Sequence, residues 1–404
     1  MVKGAFLRWS PQLSNHRYAV NDYAMQAFLS KGEATMKGFR NALLAGLLAG
    51  VAASCGGGGD GGTPPAAPSK FAYVLFSPGS SVIEQFAIGA DGMLTSIGPP
   101  VTAGVGPNSI TVDLSGRYAY VPNYGSGTVS QFTIAASGLL TAMTPSMVAA
   151  GVNPASVAVD PSGRYAYAGT GSSVFQYSIG PGGALTPLTP ASVPMIAGGA
   201  RSVAVDPSGR FVYVSESNGD VFQYTIGANG TLSAMAPASA TGPTSAFNVC
   251  VEATGRYAYV PNPTEATVSQ YAIGTTGLLS AMTPSTAPAG SGAISAASDP
   301  FGRFVYVANA YNDNVSQYAI SVDGKLADIF VGTLPVPTVP AGTQPQSVAV
   351  DPSGRFVYVV NRGPKGGSGS ISQYAIGPEG GLSILSTATV GGGASFITTA
   401  GRLE

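Results

Sequence analysis

A short segment with the chemistry of a β-hairpin recurs through most of this chain. Its clearest copy is S-V-A-V-D-P-S-G-R-F-V-Y-V, Ser202 to Val214. In this copy Asp206 can accept local backbone hydrogen bonds, Pro207 presets φ, and Gly209 can take a positive φ at no steric cost. The segment therefore predicts two short strands joined by a tight turn.

The hairpin repeats with a nearly constant period. The arginine that closes the turn recurs after 47, 46, 46, 47, 52 and 47 residues. It stands at Arg117, Arg164, Arg210, Arg256, Arg303, Arg355 and Arg402. Each copy continues with a third strand such as residues 129–134, then a glycine-rich turn such as residues 228–230, then a fourth strand. Four short strands per period are typical of one propeller blade.

The two ends of the repeat array complement each other. The first copy begins at Lys70 without a preceding S-V-A-V-D-P-S-G strand, whereas residues 394–402 supply such a strand with no partner after it. Pairing the two ends would complete a seventh sheet and remove an open sheet edge. The predicted fold class is therefore all-β, a closed seven-bladed β-propeller of four-stranded antiparallel blades.

Composition agrees with one large all-β domain. The 404 residues include 56 Gly and 31 Pro, with 45% hydrophobic and only 9% charged residues. Along one strand, Tyr165 and Tyr167 alternate with Ala166 and Ala168. Large rings should thus point to one face and small residues to the other, so that a rough face packs on a smooth one.

The chain before residue 70 carries no copy of the repeat. Residues 1–35 are expected to be an upstream extension, because Met36 opens the charged region of a signal peptide. Residues 36–54 continue into an apolar run that is short for a membrane span. Residues 55–69 form a predicted glycine- and proline-rich tether, and residues 70–404 the propeller.

The end of the apolar run carries a second signal. Ala52-Ala53-Ser54-Cys55 resembles a bacterial lipoprotein signal, in which cleavage occurs before a cysteine that carries lipid. The resemblance implies that acylated Cys55 anchors the protein in a lipid bilayer of the bacterial cell envelope. Gly56 at the next position favours the outer membrane. The alternative is an ordinary secretory signal followed by an incidental cysteine.

Charge and composition exclude several classes of function. Residues 55–404 contain 12 Lys and Arg against 17 Asp and Glu, with no basic stripe, so nucleic acid is not expected as a partner. This stretch has no His and, besides Cys55, only Cys250, which is expected to be a buried thiol. It therefore lacks the residues for a metal cluster or a Ser-His-Asp triad, and no cofactor is expected.

Most acidic residues of the repeats have an evident structural role. They occupy the first position of the hairpin turn, where a carboxylate can accept backbone hydrogen bonds. The set is Asp113, Asp160, Asp206, Asp299 and Asp351, with Glu252 at the same position in one copy. A role repeated in nearly every blade indicates scaffold, so function is expected where the symmetry breaks.

The symmetry breaks at the rim opposite the turn. Continuing the hairpin register places Arg201 opposite Glu216 there. The simpler interpretation is a cross-strand ion pair of about 0.2–1 kcal/mol; the alternative makes Arg201 an anion clamp and Glu216 a catalytic base. The other candidate ligand-binding residues of this rim are Asn108, Asn123, Asp220, Asn262, Asn309, Asp313, Gln346, Asn361 and Arg362.

The repeats also resemble those of known proteins. D-P-S-G-R-[FY]-[AV]-Y-V, followed in several copies by Asn, is similar to the YVTN-type repeats of bacterial and archaeal surface proteins. It also resembles the lactonase-type propellers that include a 6-phosphogluconolactonase. The resemblance spans residues 70–402. It implies a lactone-opening enzyme with polar and charged groups around one mouth of the central channel.

Two functions of different classes follow. The first is a lipid-anchored binding or scaffold module for a protein or glycan partner, which the largely uncharged blades suggest. The second is a lactone hydrolase with Glu216 or Asp220 as base and Arg201 or Arg362 as oxyanion stabiliser. Convergence of Arg201, Glu216 and Arg362 on one cavity would favour the enzyme, and their dispersal the binding module.

Overall fold

The structure of the protein is a computed structural model. It describes residues 70–77, 80–195, 198–242, 244–331 and 334–401. The predictions for the upstream extension, the signal peptide, Cys55 and the tether lie outside these residues, as does Arg402. Within the described residues no helix is long and apolar enough to cross a membrane.

The described residues form 32 β-strands in seven antiparallel sheets and one small hairpin. The first blade contains β1 (Lys70–Phe76), β2 (Val82–Ile88), β3 (Leu94–Ser96) and β4 (Val101–Thr102). The second contains β5 (Thr111–Val112), β6 (Tyr118–Asn123), β7 (Thr128–Ile134) and β8 (Leu140–Ala149). The third contains β9 (Ser156–Val159), β10 (Tyr165–Gly169), β11 (Ser173–Ile179) and β12 (Leu185–Pro194).

The next two blades follow the same order. The fourth contains β13 (Ala200–Val205), β14 (Phe211–Glu216), β15 (Val221–Ile226) and β16 (Leu232–Ala240). The fifth contains β17 (Cys250–Val251), β18 (Tyr257–Asn262), β19 (Thr267–Ile273) and β20 (Leu279–Pro288). In the second to fifth blades the first strand is the inner one and the last is the outer one.

The sixth blade differs because its outer strand is divided. It contains β21 (Ala293–Ser298), β22 (Phe304–Asn309), β23 (Asn314–Ile320), β24 (Leu326–Asp328) and β27 (Thr338–Pro340). The hairpin of β25 (Phe330–Val331) and β26 (Leu334–Pro335) interrupts it, which accounts for the longer sequence period here. The seventh blade contains β28 (Pro345–Val350), β29 (Phe356–Asn361), β30 (Gly369–Ile376) and β31 (Leu382–Val390), and the chain ends with β32 (Ala394–Gly401).

The ring closes as the sequence predicts. β32 is the inner strand of the first blade and pairs antiparallel with β1, from Lys70 opposite Gly401 to Leu75 opposite Phe396. The first and last parts of the array therefore share one sheet. The predicted all-β, seven-bladed propeller and its closure by the C-terminal strand are confirmed.

Two faces of the ring have to be distinguished. The turn face carries the turns between inner and second strands, such as Asp206–Arg210. The mouth face is the opposite end, where the inner strands begin, as at Ala200. In these turns the carboxylate is hydrogen-bonded to the backbone. Asp206 Oδ1 accepts hydrogen bonds from the N–H groups of Arg210 at 2.8 Å and Phe211 at 2.7 Å.

Each blade is hydrogen-bonded to the next by a tyrosine of its second strand. Tyr213 Oη donates to Gly277 O of the following blade at 2.6 Å. Tyr358 Oη donates to Gly92 O at 2.8 Å, which joins the seventh blade to the first. The other five tyrosines make the same bond, and they are Tyr73, Tyr120, Tyr167, Tyr259 and Tyr306.

Packing between blades follows the predicted alternation. Tyr165 and Tyr167 face the fourth blade, where they pack with Val212 and Val214, whereas Ala166 and Ala168 face the second blade and Tyr120. Glycine is required at the contact: a Cβ on Gly230 would lie 2.2 Å from Tyr165 Cδ1. Rough faces thus pack on smooth ones around the whole ring, and Cys250 lies in one of these clusters as a buried free thiol.

Candidate functional site

The inner strands enter the ring with a one-residue irregularity. In the fourth blade Ala200 pairs with Glu216 and Ser202 pairs with Ser215, so that Arg201 is the extra residue of a β-bulge. The same shift occurs at Ile294, Gln346 and Ser395. A bulge re-aims the side chain of its extra residue. The predicted pairing of Arg201 with Glu216 is therefore wrong by one position.

The bulges surround a pocket at the mouth of the central channel. All seven blades contribute to its lining, and its volume is about 340 Å³. One residue from each blade occupies the repeat position of Arg201; these are Asn108, Ala155, Arg201, Phe247, Ile294, Gln346 and Ser395. The volume suits a small ligand, and the varied lining is unlike the repeated scaffold elsewhere in the ring.

Arg201 is the single charged side chain that lines the pocket. It is exposed, and its guanidinium carbon lies 4.9 Å from the centroid of the Phe247 ring. A cation–π contact of this kind is worth about 0.5–1 kcal/mol at an exposed site and leaves the N–H donors free. The pocket thus presents a fixed cation beside a partly exposed aromatic face.

Serine hydroxyls line the same pocket. Ser156 Oγ accepts a hydrogen bond from Val203 N at 3.1 Å and Ser295 Oγ from Val348 N at 3.2 Å, each across a blade boundary. Because both hydroxyls act as acceptors in these bonds, their own O–H groups remain able to donate to a ligand. The pocket therefore combines one cation with neutral polar donors.

Glu216 lies outside this pocket, in the interior of the fourth blade. It is fully buried, and neither carboxylate oxygen has a hydrogen-bond partner of good geometry. Burial raises the pKa of Glu216 to about 7, and the charge of Asp220 raises it further, while the Asn218 amide offsets part of the rise. The candidate base is thus a buried carboxyl group that is not among the residues lining the pocket.

The surroundings of Glu216 contain further unpaired polar atoms. Ser215 Oγ and Tyr224 Oη are buried without a hydrogen-bond partner. In the third blade the equivalent tyrosine, Tyr177, donates to Ala149 O at 2.7 Å. The fourth blade therefore departs from the pattern of its neighbours at the same place where Glu216 replaces the repeated asparagine.

The repeated asparagines lie buried at the end of the second strand and hydrogen-bond to serines of the third strand. Asn123 accepts a hydrogen bond from Gly104 N at 3.0 Å and donates to Ser130 Oγ at 2.9 Å. Asn309 and Asn361 donate to serine hydroxyls in the same way, and the Asn262 amide lies 3.1 Å from Ser269 Oγ. All four are fully buried and are not among the residues that line the pocket. Asn108 and Gln346, by contrast, do line it.

The remaining candidates lie in loops of the mouth face, away from the pocket. Asp220 is half-buried and acts on Glu216 through its charge. Asp313 Oδ1 accepts a hydrogen bond from Gln344 N at 2.8 Å. Arg362 lines a separate groove of about 760 Å³ together with Lys365. Arg201, Glu216 and Arg362 are thus dispersed over three environments.

Sequence reasoning missed Asn248 among the site residues. Its Nδ2 donates to Ser202 Oγ at 3.3 Å, and its Oδ1 accepts a hydrogen bond from Ala296 N at 3.0 Å. Asn248 lines the pocket at the repeat position where five other blades have serine and the first has Phe396. That substitution in the repeat was the available signal. Within the described residues no group of three or more His, Cys, Asp or Glu side chains is placed to hold a metal ion.

The family model described as "Lactonase, 7-bladed beta-propeller" matches residues 66–329 and 144–396. The chain belongs to this family. No curated protein sequence matches the chain. Membership of the lactonase propeller family agrees with the closed ring and the pocket at its mouth.

Solved structures share the fold. A periplasmic gluconolactonase from Pseudomonas aeruginosa is 22% identical with a TM-score of 0.68, over 83% of this chain and 100% of that one. A candidate 6-phosphogluconolactonase from Bacteroides fragilis is 16% identical with a TM-score of 0.69, over 84% of this chain and 100% of that one. At these identities the likeness concerns the propeller architecture.

Proposed function

We propose that this lactonase-family propeller is a lipid-anchored binding module of the bacterial cell envelope. Its ligand is a glycan or a protein partner that presents a small anionic group to the mouth of the central channel. Acylated Cys55 would hold the propeller at the bilayer, with the outer membrane as the expected location. The binding role rests chiefly on the separation of Arg201 from Glu216.

The pocket lining supports recognition without a reaction. Arg201 supplies a cation for a carboxylate or phosphate, and its planar guanidinium favours two-point hydrogen bonding to such groups. Phe247 offers an apolar face, and the serine hydroxyls offer neutral donors. Since Glu216 is buried outside the lining, the pocket has no carboxylate to serve as a general base. A sugar that carries an acidic group fits all three features.

The proposed site can be tested by the loss of one side chain. We expect Arg201→Gln to weaken the binding of an acidic oligosaccharide about 10- to 100-fold, because a hydrogen bond to a charged group contributes about 1.5–3 kcal/mol. The measurement is isothermal titration calorimetry of the full chain with oligogalacturonates as probes. Arg362→Gln is the matched control, since Arg362 lines a separate groove.

Equal affinities of the Arg201→Gln variant and the unchanged protein would contradict the proposal. So would a larger loss in the Arg362→Gln variant, because it would move the site to the other groove.

Lactone hydrolysis is the second candidate, favoured by membership of the lactonase family and by the pKa of Glu216 near 7, which suits a general base. In such a reaction Glu216 would take a proton from the water that attacks the lactone carbonyl, and Arg201 would stabilise the oxyanion. As the acyl C–O bond of the ring breaks, Glu216 would pass the proton to the leaving ring oxygen. Glu216 would first have to reach the pocket. Equal hydrolysis of a lactone panel by the full chain and by its Glu216→Gln variant would eliminate Glu216 as the base.

A further inference from the structure

The turn face carries a ring of outward-facing arginines. Each follows the turn glycine and is exposed, with its guanidinium carbon 4.6–5.4 Å from the ring centroid of the next residue. The described members are Arg117, Arg164, Arg210, Arg256, Arg303 and Arg355. Because the ring has rotational symmetry, these cations are distributed around the whole face.

The acidic partners of these arginines are buried and already occupied. Asp206 is 2% exposed, and its Oδ1 accepts the two backbone hydrogen bonds described above. Among the six described arginines, only Arg303 forms an ion pair, with Asp299 at 2.8 Å. The other guanidiniums therefore keep N–H donors directed to solvent while the balancing negative charge lies beneath them.

Exposed charges differ between the two faces. On the turn face the exposed acidic residues are Asp91, Asp323 and Glu379, and Asp323 is paired with Lys325 at 2.8 Å. They are outnumbered by the six exposed arginines. On the mouth face the exposed cations Arg201, Arg362 and Lys365 are offset by the exposed carboxylates of Glu265 and Asp313 and by the half-buried Asp220. The outermost layer of charge is therefore positive on the turn face and balanced on the mouth face.

The chain enters the propeller at the turn face. Lys70 is the first residue of β1, lies opposite Gly401, and pairs with Asp351 of a turn at 2.9 Å. Residues 56–69 separate it from Cys55. A flexible coil of that length has an end-to-end distance of about 20 Å. Because a coil also samples shorter separations, it allows the arginines to come within the Debye length of about 8 Å at physiological salt, where the field of a charged bilayer acts on them.

We infer that the turn face docks on anionic lipid headgroups and that the mouth pocket consequently points away from the membrane. The arginines would contact lipid phosphates, for which the guanidinium is geometrically suited. Arginines near an anionic leaflet are attracted within a Debye length of its surface. This inference rests on the lipid anchor of the proposed function and adds an orientation to it.

The orientation can be measured with fluorescent probes on the full, acylated chain in lipid vesicles. Ala136→Cys places a label in a turn of the turn face, and Ser126→Cys places one in a loop of the mouth face; both positions are exposed. Cys250 is buried and should not be labelled. The vesicles contain phosphatidylcholine alone or with phosphatidylglycerol, and a headgroup nitroxide quenches probes near the surface.

We expect the Ala136→Cys probe to be quenched more strongly than the Ser126→Cys probe, and only when phosphatidylglycerol is present. The double variant Arg117→Gln/Arg164→Gln should reduce the ratio of docked to undocked protein by about tenfold or more. The control Arg362→Gln/Lys365→Gln removes two cations from the opposite face and should leave the quenching unchanged. Added salt should reverse docking of the unsubstituted protein.

Two results would overturn the inference in distinguishable ways. If the chain floats with the vesicles but both probes are quenched equally, or the arginine double variant docks normally, docking is overturned and the anchor stands. If the chain fails to float with either kind of vesicle, the anchor itself is overturned, and the docking with it.

Discussion

The turn face and the mouth face are built from the same repeats but use them differently. At the turn face an acidic residue, an arginine and an aromatic ring recur in the second to seventh blades, and in each the carboxylate accepts hydrogen bonds from the same backbone N–H groups. At the mouth face one repeat position is occupied by seven residues of different chemistry, from Ala155 to Arg201. Repetition thus accompanies ring closure, and the repeat position that lines the pocket differs in every blade.

The difference has a physical reason. A contact between blades must be made seven times before the ring closes, so each blade must present both halves of it. A side chain at the repeat position of Arg201 makes no contact that recurs in every blade: Arg201 packs on Phe247, whereas Asn108 donates a hydrogen bond to Ala155 O. It can therefore change without opening the ring.

The largest expected effect comes from adding a methyl group at Gly230, where the Tyr165 side chain of the preceding blade packs on the glycine. Gly230 has φ +83° and a Cβ there would lie 2.2 Å from Tyr165, whereas Gly163 has φ +67° and open space around it. We expect Gly230→Ala to cost about 2–5 kcal/mol, the sum of backbone strain and overpacking, and Gly163→Ala only the strain, about 1–2 kcal/mol. Urea unfolding measures both. Equal losses would show that blade contact adds nothing at Gly230.

The next effect concerns Glu216, the buried carboxyl group of the fourth blade. The pKa of Glu216 is raised to about 7 from 4.5, so between these values the folded state binds more protons than the unfolded state. The free energy of unfolding should therefore fall as pH rises through this window. From pH 5 to pH 8 the protein should lose up to about 3 kcal/mol more than its Glu216→Gln variant. Thermal unfolding across this pH range measures the difference.

Identical pH profiles of the protein and the Glu216→Gln variant would contradict the raised pKa. Comparing slopes rather than absolute stabilities removes the cost of burying the new amide.

The smallest effect tests the hydrogen bond that joins neighbouring blades. Tyr213→Phe removes the buried donor to Gly277 O and should cost about 0.5–1.5 kcal/mol, more if the carbonyl is left unsatisfied. Tyr118→Phe is the control, because its hydroxyl donates to Pro181 O at an exposed site where water can replace it. Chemical denaturation should show a near-zero change for the control. If Tyr118→Phe lowered the free energy of unfolding as much as Tyr213→Phe, the buried bond between blades would contribute no more than the exposed one.

Much of the fold was accessible from the sequence. The period, the turn residues and the missing first strand predicted seven blades and their closure, and the structure confirms them. The candidate site was only partly accessible. The sequence predicted a rim position for Asn108, Arg201 and Gln346, and all three line the pocket, while their role in ligand binding stays a prediction. The pairing of Arg201 with Glu216 is wrong because a bulge intervenes, and the sequence carries no mark of the extra residue.

The sequence alone determined the ring, because hairpin chemistry and period are local properties repeated often enough to leave one closed arrangement. Tertiary structure decided which polar residues share a cavity. The direction of Arg201 and the burial of Glu216 depend on a one-residue shift between two strands, and on neighbouring blades that cover one side chain and leave the other open to the channel.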